Sequence, residues 1–122
     1  MVSGGRLDLG GTTQAVGLVR LTGGTIGDGT LRGSVYDVQS GSIDAALTGS
    51  GPLVKSGTGT VMLSGANIYS GGTRVDGGTL KLTSTGRLGA ADAALVVGGG
   101  TLDLGGTSAS AGPVVLTAGT IR

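Results

Sequence analysis

A chain of 122 residues with a net charge of +1 has room for one domain, and its few scattered cations exclude a nucleic-acid or acidic-membrane footprint. Glycine supplies 29 residues, Phe, Trp, His and Cys are absent, and all seven acidic residues are Asp. These facts exclude a core built on large aromatics, a disulfide framework and a thiolate metal site. With 38% hydrophobic against 12% charged residues, the chain is too apolar and too weakly charged for a disordered one. A thin core of Leu, Val, Ile and Ala is the remaining solution. The longest uncharged run, 104–121, is broken by Gly105, Gly106, Gly112, Pro113 and Gly119, so it forms no membrane-spanning helix. Met1 leads into "VSGGRLDLGG", which has neither the basic nor the apolar stretch of a secretion signal. An exported protein would make this chain an excerpt of something longer.

Taken in chain order, one phrase keeps returning. Gly5-Arg6-Leu7 is followed by Gly24-Thr25-Ile26, Gly41-Ser42-Ile43, Gly59-Thr60-Val61, Gly78-Thr79-Leu80, Gly100-Thr101-Leu102 and Gly119-Thr120-Ile121. The aliphatic members lie 19, 17, 18, 19, 22 and 19 residues apart, a mean of 19. Residues 4–26 also align without gaps to 99–121, sharing 15 of 23 positions at an offset of five such periods. A fixed period of this length marks a solenoid.

The solenoid is a β one. Leu7-Asp8-Leu9, Leu80-Lys81-Leu82 and Leu102-Asp103-Leu104 alternate at the strand period of two. A second strand family is expected at 17–21, 34–38, 52–55, 72–75, 94–97 and 113–116, with a weaker third through Leu31, Ile68 and Leu88. The expected fold class is all-β, a single-stranded parallel β-helix (β-solenoid) of about six turns of ~19 residues. Leu7, Ile26, Ile43, Val61, Leu80, Leu102 and Ile121 should form one inward column, each buried member contributing about 1.5–3 kcal/mol. The Gly two places earlier admits a positive φ at the corner. The outward slots read as Thr, Ser, Gly and single charges, and Lys81, Asp103 and Arg122 share one slot as an alternating ladder. Asp28 falls on a nominally inward slot, so a corner or bulge is expected in 27–33.

Residues 51–89, with Lys55-Ser56-Gly57, Gly59-Thr60 leading to Leu63-Ser64-Gly65, then Asn67, Tyr69, Gly71-Gly72-Thr73, Val75 and Gly78-Thr79-Leu80, resemble the autotransporter-associated β-strand repeat. That resemblance implies a right-handed parallel β-helix, exported and displayed at or released from the surface of a Gram-negative bacterium. It implies a scaffold without catalytic residues. The signal peptide and C-terminal membrane barrel of a full autotransporter are missing from residues 1–122, which read as a single β-helix segment excerpted from a longer passenger, with 51–89 its best repeat.

Chemistry is sparse. The Gly-x-Gly openings at Gly27, Gly49, Gly57 and Gly98 have Arg32, Val54, Met62 and Asp103 where a dinucleotide fingerprint needs its last glycine. Lys55-Ser56 follows Val54, so no P-loop forms. "GGTIGDGT" (23–30) puts Asp28 sixth, as in the calcium nonapeptide, but Ile26 replaces the required Gly and no tandem copy follows. Glycan-cutting β-helices need clustered carboxylates, whereas Asp8, Asp28, Asp37, Asp44, Asp76, Asp92 and Asp103 are at least seven residues apart. A Ser nucleophile would lack a His base. Tyr36 and Tyr69 are the available aromatic anchors, with Tyr69 read as structural. No catalytic, cofactor-binding or metal residue is therefore nominated, no cofactor is expected, and the protein is expected not to be an enzyme.

The function expected is a structural stalk segment supporting secretion and surface display. The alternative is an adhesin-type binding module meeting host matrix or glycan through a flat β-face. Expected partners are the neighbouring turns of the parent protein, with end-to-end self-association and a host-surface ligand beyond them. Self-association follows from the match of 4–26 to 99–121 and from the absence of polar caps.

Overall fold

The computed structural model describes residues 2–65, 67–83, 93–105 and 112–122, with side chains from residue 4 onward. Every described element is a strand, and every pairing is parallel. The strands are β1 (Val2–Ala15), β2 (Leu18–Arg32), β3 (Val35–Val38), β4 (Gly41–Ile43), β5 (Ala46–Thr48), β6 (Leu53–Lys55) and β7 (Thr60–Leu63). They continue as β8 (Thr73–Val75), β9 (Thr79–Leu82), β10 (Leu95–Val97), β11 (Thr101–Asp103), β12 (Val114–Leu116) and β13 (Thr120–Ile121). Long β1 and β2 pair with each other and β2 pairs with β3, and every other pairing joins non-consecutive strands, as a coiled chain laying each turn beside the last must produce.

Two long ladders result. One runs from the start of β2 through β3, β6, β8 and β10 to β12; the other runs from β1 through β2, β4, β7, β9 and β11 to β13. A short third ladder pairs the end of β2 with β5, Leu31 against Leu47. The chain completes about five turns, one fewer than the period suggests.

The core is the inside of this coil. Ile26, Ile43, Val61, Leu63, Leu80, Leu82 and Leu102 are fully buried from one ladder, and Leu21, Val38, Leu53, Val75 and Val97 from the other. The second strand family lies where the alternation places it. Leu88 of the third lies outside the described residues.

Four expectations need correction. The inward column slips by two residues: Gly41 faces Val61, and Ile43 faces Leu63. The corner 56–59 is longer than its predecessor 39–40, so β7 enters one inward position earlier than β4. Leu7 pairs with Ile26 but is 38% exposed, because β1 has a ladder partner on one side only; Leu9 turns inward instead. Ile68 faces solvent, while its neighbours Asn67 and Tyr69 are fully buried. The outward side of the first ladder is more apolar than expected, carrying Leu18, Val35, Val54, Val96 and Val115 beside the charges of Arg20, Asp37 and Arg74, and Leu18 and Val115 are well exposed.

The corner expected in 27–33 is present. Asp8 pairs with Gly27 and Thr12 with Gly29, so three residues of β1 bulge opposite Asp28, whose φ is +61°. Corner glycines behave as required, most clearly Gly24, whose φ is +88° and where a Cβ would stand 2.4 Å from the Gly5 carbonyl oxygen.

Candidate functional site

Polar groups fall into an inner set and an outer set. The inner set starts at β6, where Leu53-Val54-Lys55 alternates in, out, in. Lys55 therefore enters the aliphatic column between Val38 and Val75 and is fully buried. Its Nζ donates to the carbonyls of Ser56 (2.6 Å) and Gly77 (3.3 Å). Burial pulls its pKa below the ordinary lysine value, since desolvation penalises the ammonium.

One turn on, Asn67 continues the Leu31–Leu47 column: the Ile68 amide donates to the Leu47 carbonyl, and Asn67 Oδ1 accepts from the Leu47 amide at 3.0 Å. Tyr69 is fully buried, with its hydroxyl 2.6 Å from Thr73 Oγ1. Its ring packs tilted against Tyr36 at a centroid distance of 5.8 Å. The Tyr36 hydroxyl accepts from the Gly33 amide at 2.8 Å and faces the carbonyls of Leu31 (3.0 Å) and Thr48. Burial raises the pKa of both phenols, with the Gly33 and Thr48 hydrogen bonds at Tyr36 and the Thr73 hydroxyl at Tyr69 opposing it. Both tyrosines are thus internal struts, and neither presents its ring to a ligand.

The outer set is dispersed. Asp28 pairs with Arg6 (3.3 Å), Asp37 with Arg20 (3.2 Å) and Asp76 with Arg74 (2.7 Å). Asp8 accepts from the Gly10 amide and Asp44 from the Ser64 hydroxyl. Lys81 and Asp103 sit side by side as the ladder expectation requires, and Arg122 reaches Asp103 at 3.7 Å. Asp103 also accepts from the Gly105 amide at 2.8 Å. Asp92 lies outside the described residues. Among the described residues, no three carboxylates gather as a metal site. Each described carboxylate serves a turn, a hydroxyl or a guanidinium, an arrangement suited to holding shape.

Outside the first ladder, the row Pro52, Gly72, Ala94 is flanked by Val54 and Val96, with Arg74 between them. The small residues in the middle leave a shallow apolar trough. Sequence reading missed this face and the inward Lys55, Asn67 and Thr73. The signal for Lys55 was available in the alternation of 53–55.

Residues 53–82 and 97–122 match the passenger-associated-transport-repeat family. The chain therefore carries autotransporter passenger repeats stacked as a β-solenoid, in agreement with the resemblance read from 51–89. Among curated proteins it is similar to one named adhesin BmaC autotransporter, of Brucella suis biovar 1 (strain 1330), at 45% identity over 92 residues. The alignment covers 74% of this chain and 3% of that protein's length. No solved structure matches the chain.

Proposed function

We propose that residues 1–122 form one uninterrupted stalk segment of a longer autotransporter passenger, on the cell surface of a Gram-negative bacterium or released from it. The observation that carries this is the parallel pairing of turn on turn among all the described strands. Each turn's inward side chains are completed by its two neighbours, so turns can be added in sequence as the chain emerges and the structure grows as a rod. The segment carries no reaction of its own in this reading, its side chains being spent on corners and columns. The test excises one turn, residues 64–82, from the full passenger on cells. A stalk retains display and protease resistance with a shorter reach. Loss of adhesion with display intact would move the role to binding.

A second reading rests on the apolar trough around Pro52, Val54, Ala94 and Val96, together with the name of the similar adhesin. In it, this face meets a host-matrix protein. Val54→Asp with Val96→Asp would then abolish matrix binding by displayed protein while leaving its melting unchanged. Separate copies of the segment are also inferred to stack end to end, since residues 4–26 and 99–121 are alternative versions of one turn and β12 leaves Val114, Val115 and Leu116 exposed. A constant monomer mass in sedimentation across a wide concentration range would exclude that.

A further inference from the structure

The inner columns divide the solenoid into two levels of different width. Above, the inward slot that follows Leu21 or Val38 round the corner is reached three residues on, at Gly24 or Gly41, and holds no side chain. Below, the slot following Lys55 is Val61, six residues on, and those following Val75 and Val97 are Leu80 and Leu102, five on. Successive members of the Leu21–Val38–Lys55–Val75–Val97 column are 17, 17, 20 and 22 residues apart. The corner widens by a full inward side chain, and the step falls at Lys55.

We propose that Lys55 is an internal clamp that fixes the level at which the solenoid changes its cross-section. Its stem spans the enlarged corner, and its Nζ ties the Ser56 carbonyl of its own turn to the Gly77 carbonyl of the next. The following corner leaves room for the amine: Gly78 has a φ of +63°, and a Cβ there would meet the Gly59 carbonyl oxygen at 2.3 Å, as at the other corner glycines, and Nζ at 2.6 Å. The other members of this column are aliphatic, and a filler alone would be better supplied by one of them, because an ammonium resists desolvation. Lysine supplies donors that no aliphatic residue has, to two part-buried carbonyls of successive turns. This inference stands whether the parent protein uses the segment as a stalk or as a binding face.

Lys55 and Lys81 are the only lysines, which makes amine acylation followed by peptide mass measurement a direct test. In the wild-type protein Lys81 should react freely and Lys55 about a hundredfold more slowly. The Lys55 rate should rise with denaturant in step with exchange of the Thr79 amide, which donates to Gly59 across the same corner. Acylation of Lys55 while the Thr79 amide stays protected would overturn the clamp. In Lys55→Met, amides of 56–60 and 77–79 should exchange about tenfold faster while those of β2 to β4 keep their rates. Unchanged corners, or an equal acceleration in every turn, would each count against it. The wild-type measurement decides the matter if Lys55→Met fails to fold.

Discussion

The two long ladders share one inner plan and differ in their exteriors. Outside β4, β7, β9 and β11 stand Ser42, Thr60, Thr79, Lys81, Thr101 and Asp103, a polar face interrupted by Met62. Outside the other ladder stand Leu18, Val35, Val54, Val96 and Val115, with Arg20, Asp37 and Arg74 set among them. Inward burial is equally complete on both sides, with Leu80 and Val75 alike at 0% exposure. The fold is therefore set by every second residue, and the residues between are free to differ. Any contact of these ladders with another molecule falls to those outward slots.

The largest expected effect breaks the inner half of that comparison. Leu80→Asp puts an unpaired carboxylate into the dry column between Val61 and Leu102, at a cost of several kcal/mol. The middle turns should lose their parallel-strand circular dichroism. Lys81→Ser, one residue on and facing out, should shift stability by less than about 0.5 kcal/mol. Equal melting temperatures would reverse the inward and outward assignment.

Alkaline titration sharpens the comparison through the inner polar groups. The phenols of Tyr36 and Tyr69 ionise near 10.0 when unfolded and higher when folded, so their contribution is intact below that pH and is lost above it. Lys55 has the opposite sign. Its folded value lies below the ordinary 10.5, so its contribution improves as pH rises toward 10.5 and falls away on the acid side. Wild type should thus gain stability relative to Lys55→Met between its lowered pKa and 10.5, and both should fail as the tyrosines ionise. Parallel curves for the two proteins would remove Lys55 from the interior.

A smaller effect compares the ladders' exteriors with their interior directly. Val75→Thr should cost about 1–3 kcal/mol by burying a hydroxyl, and Val96→Thr within about 0.5 kcal/mol, both read from urea midpoints. Smallest of all is Asp28→Gly. It relieves a left-handed backbone that only glycine adopts freely and gives up an exposed pair with Arg6, for a net gain of under about 1 kcal/mol. A loss of more than that would make the Arg6 pair, and with it the first turn, stronger than its exposure allows.

Much of this was legible in the sequence because a β-solenoid repeats its instructions. Gly78-Thr79-Leu80 and Gly100-Thr101-Leu102 announce their own register, and the structure pairs them residue for residue. What escaped has physical causes. A corner can lengthen without altering the strands it joins, which is why 56–59 displaced Val61 from Ile43. Polarity is a poor guide to direction where the backbone offers partners inside. Lys55 and Asn67 turned in toward carbonyls and an amide, and Ile68 was left outside between two buried residues.

The direction of the hydrogen bonds has a mechanical consequence. They run along the axis of the coil, from one turn to the next, as from Thr79 to Gly59 and from Thr101 to Gly78. A pull on the two ends loads them in series, rung by rung. Each turn occupies about 4.8 Å of axis while folded, and its roughly 19 residues pay out about 60 Å when peeled open. Shear from flowing liquid is then absorbed as length, one turn yielding while its neighbours hold, and the opened turn has an intact template against which to wind back.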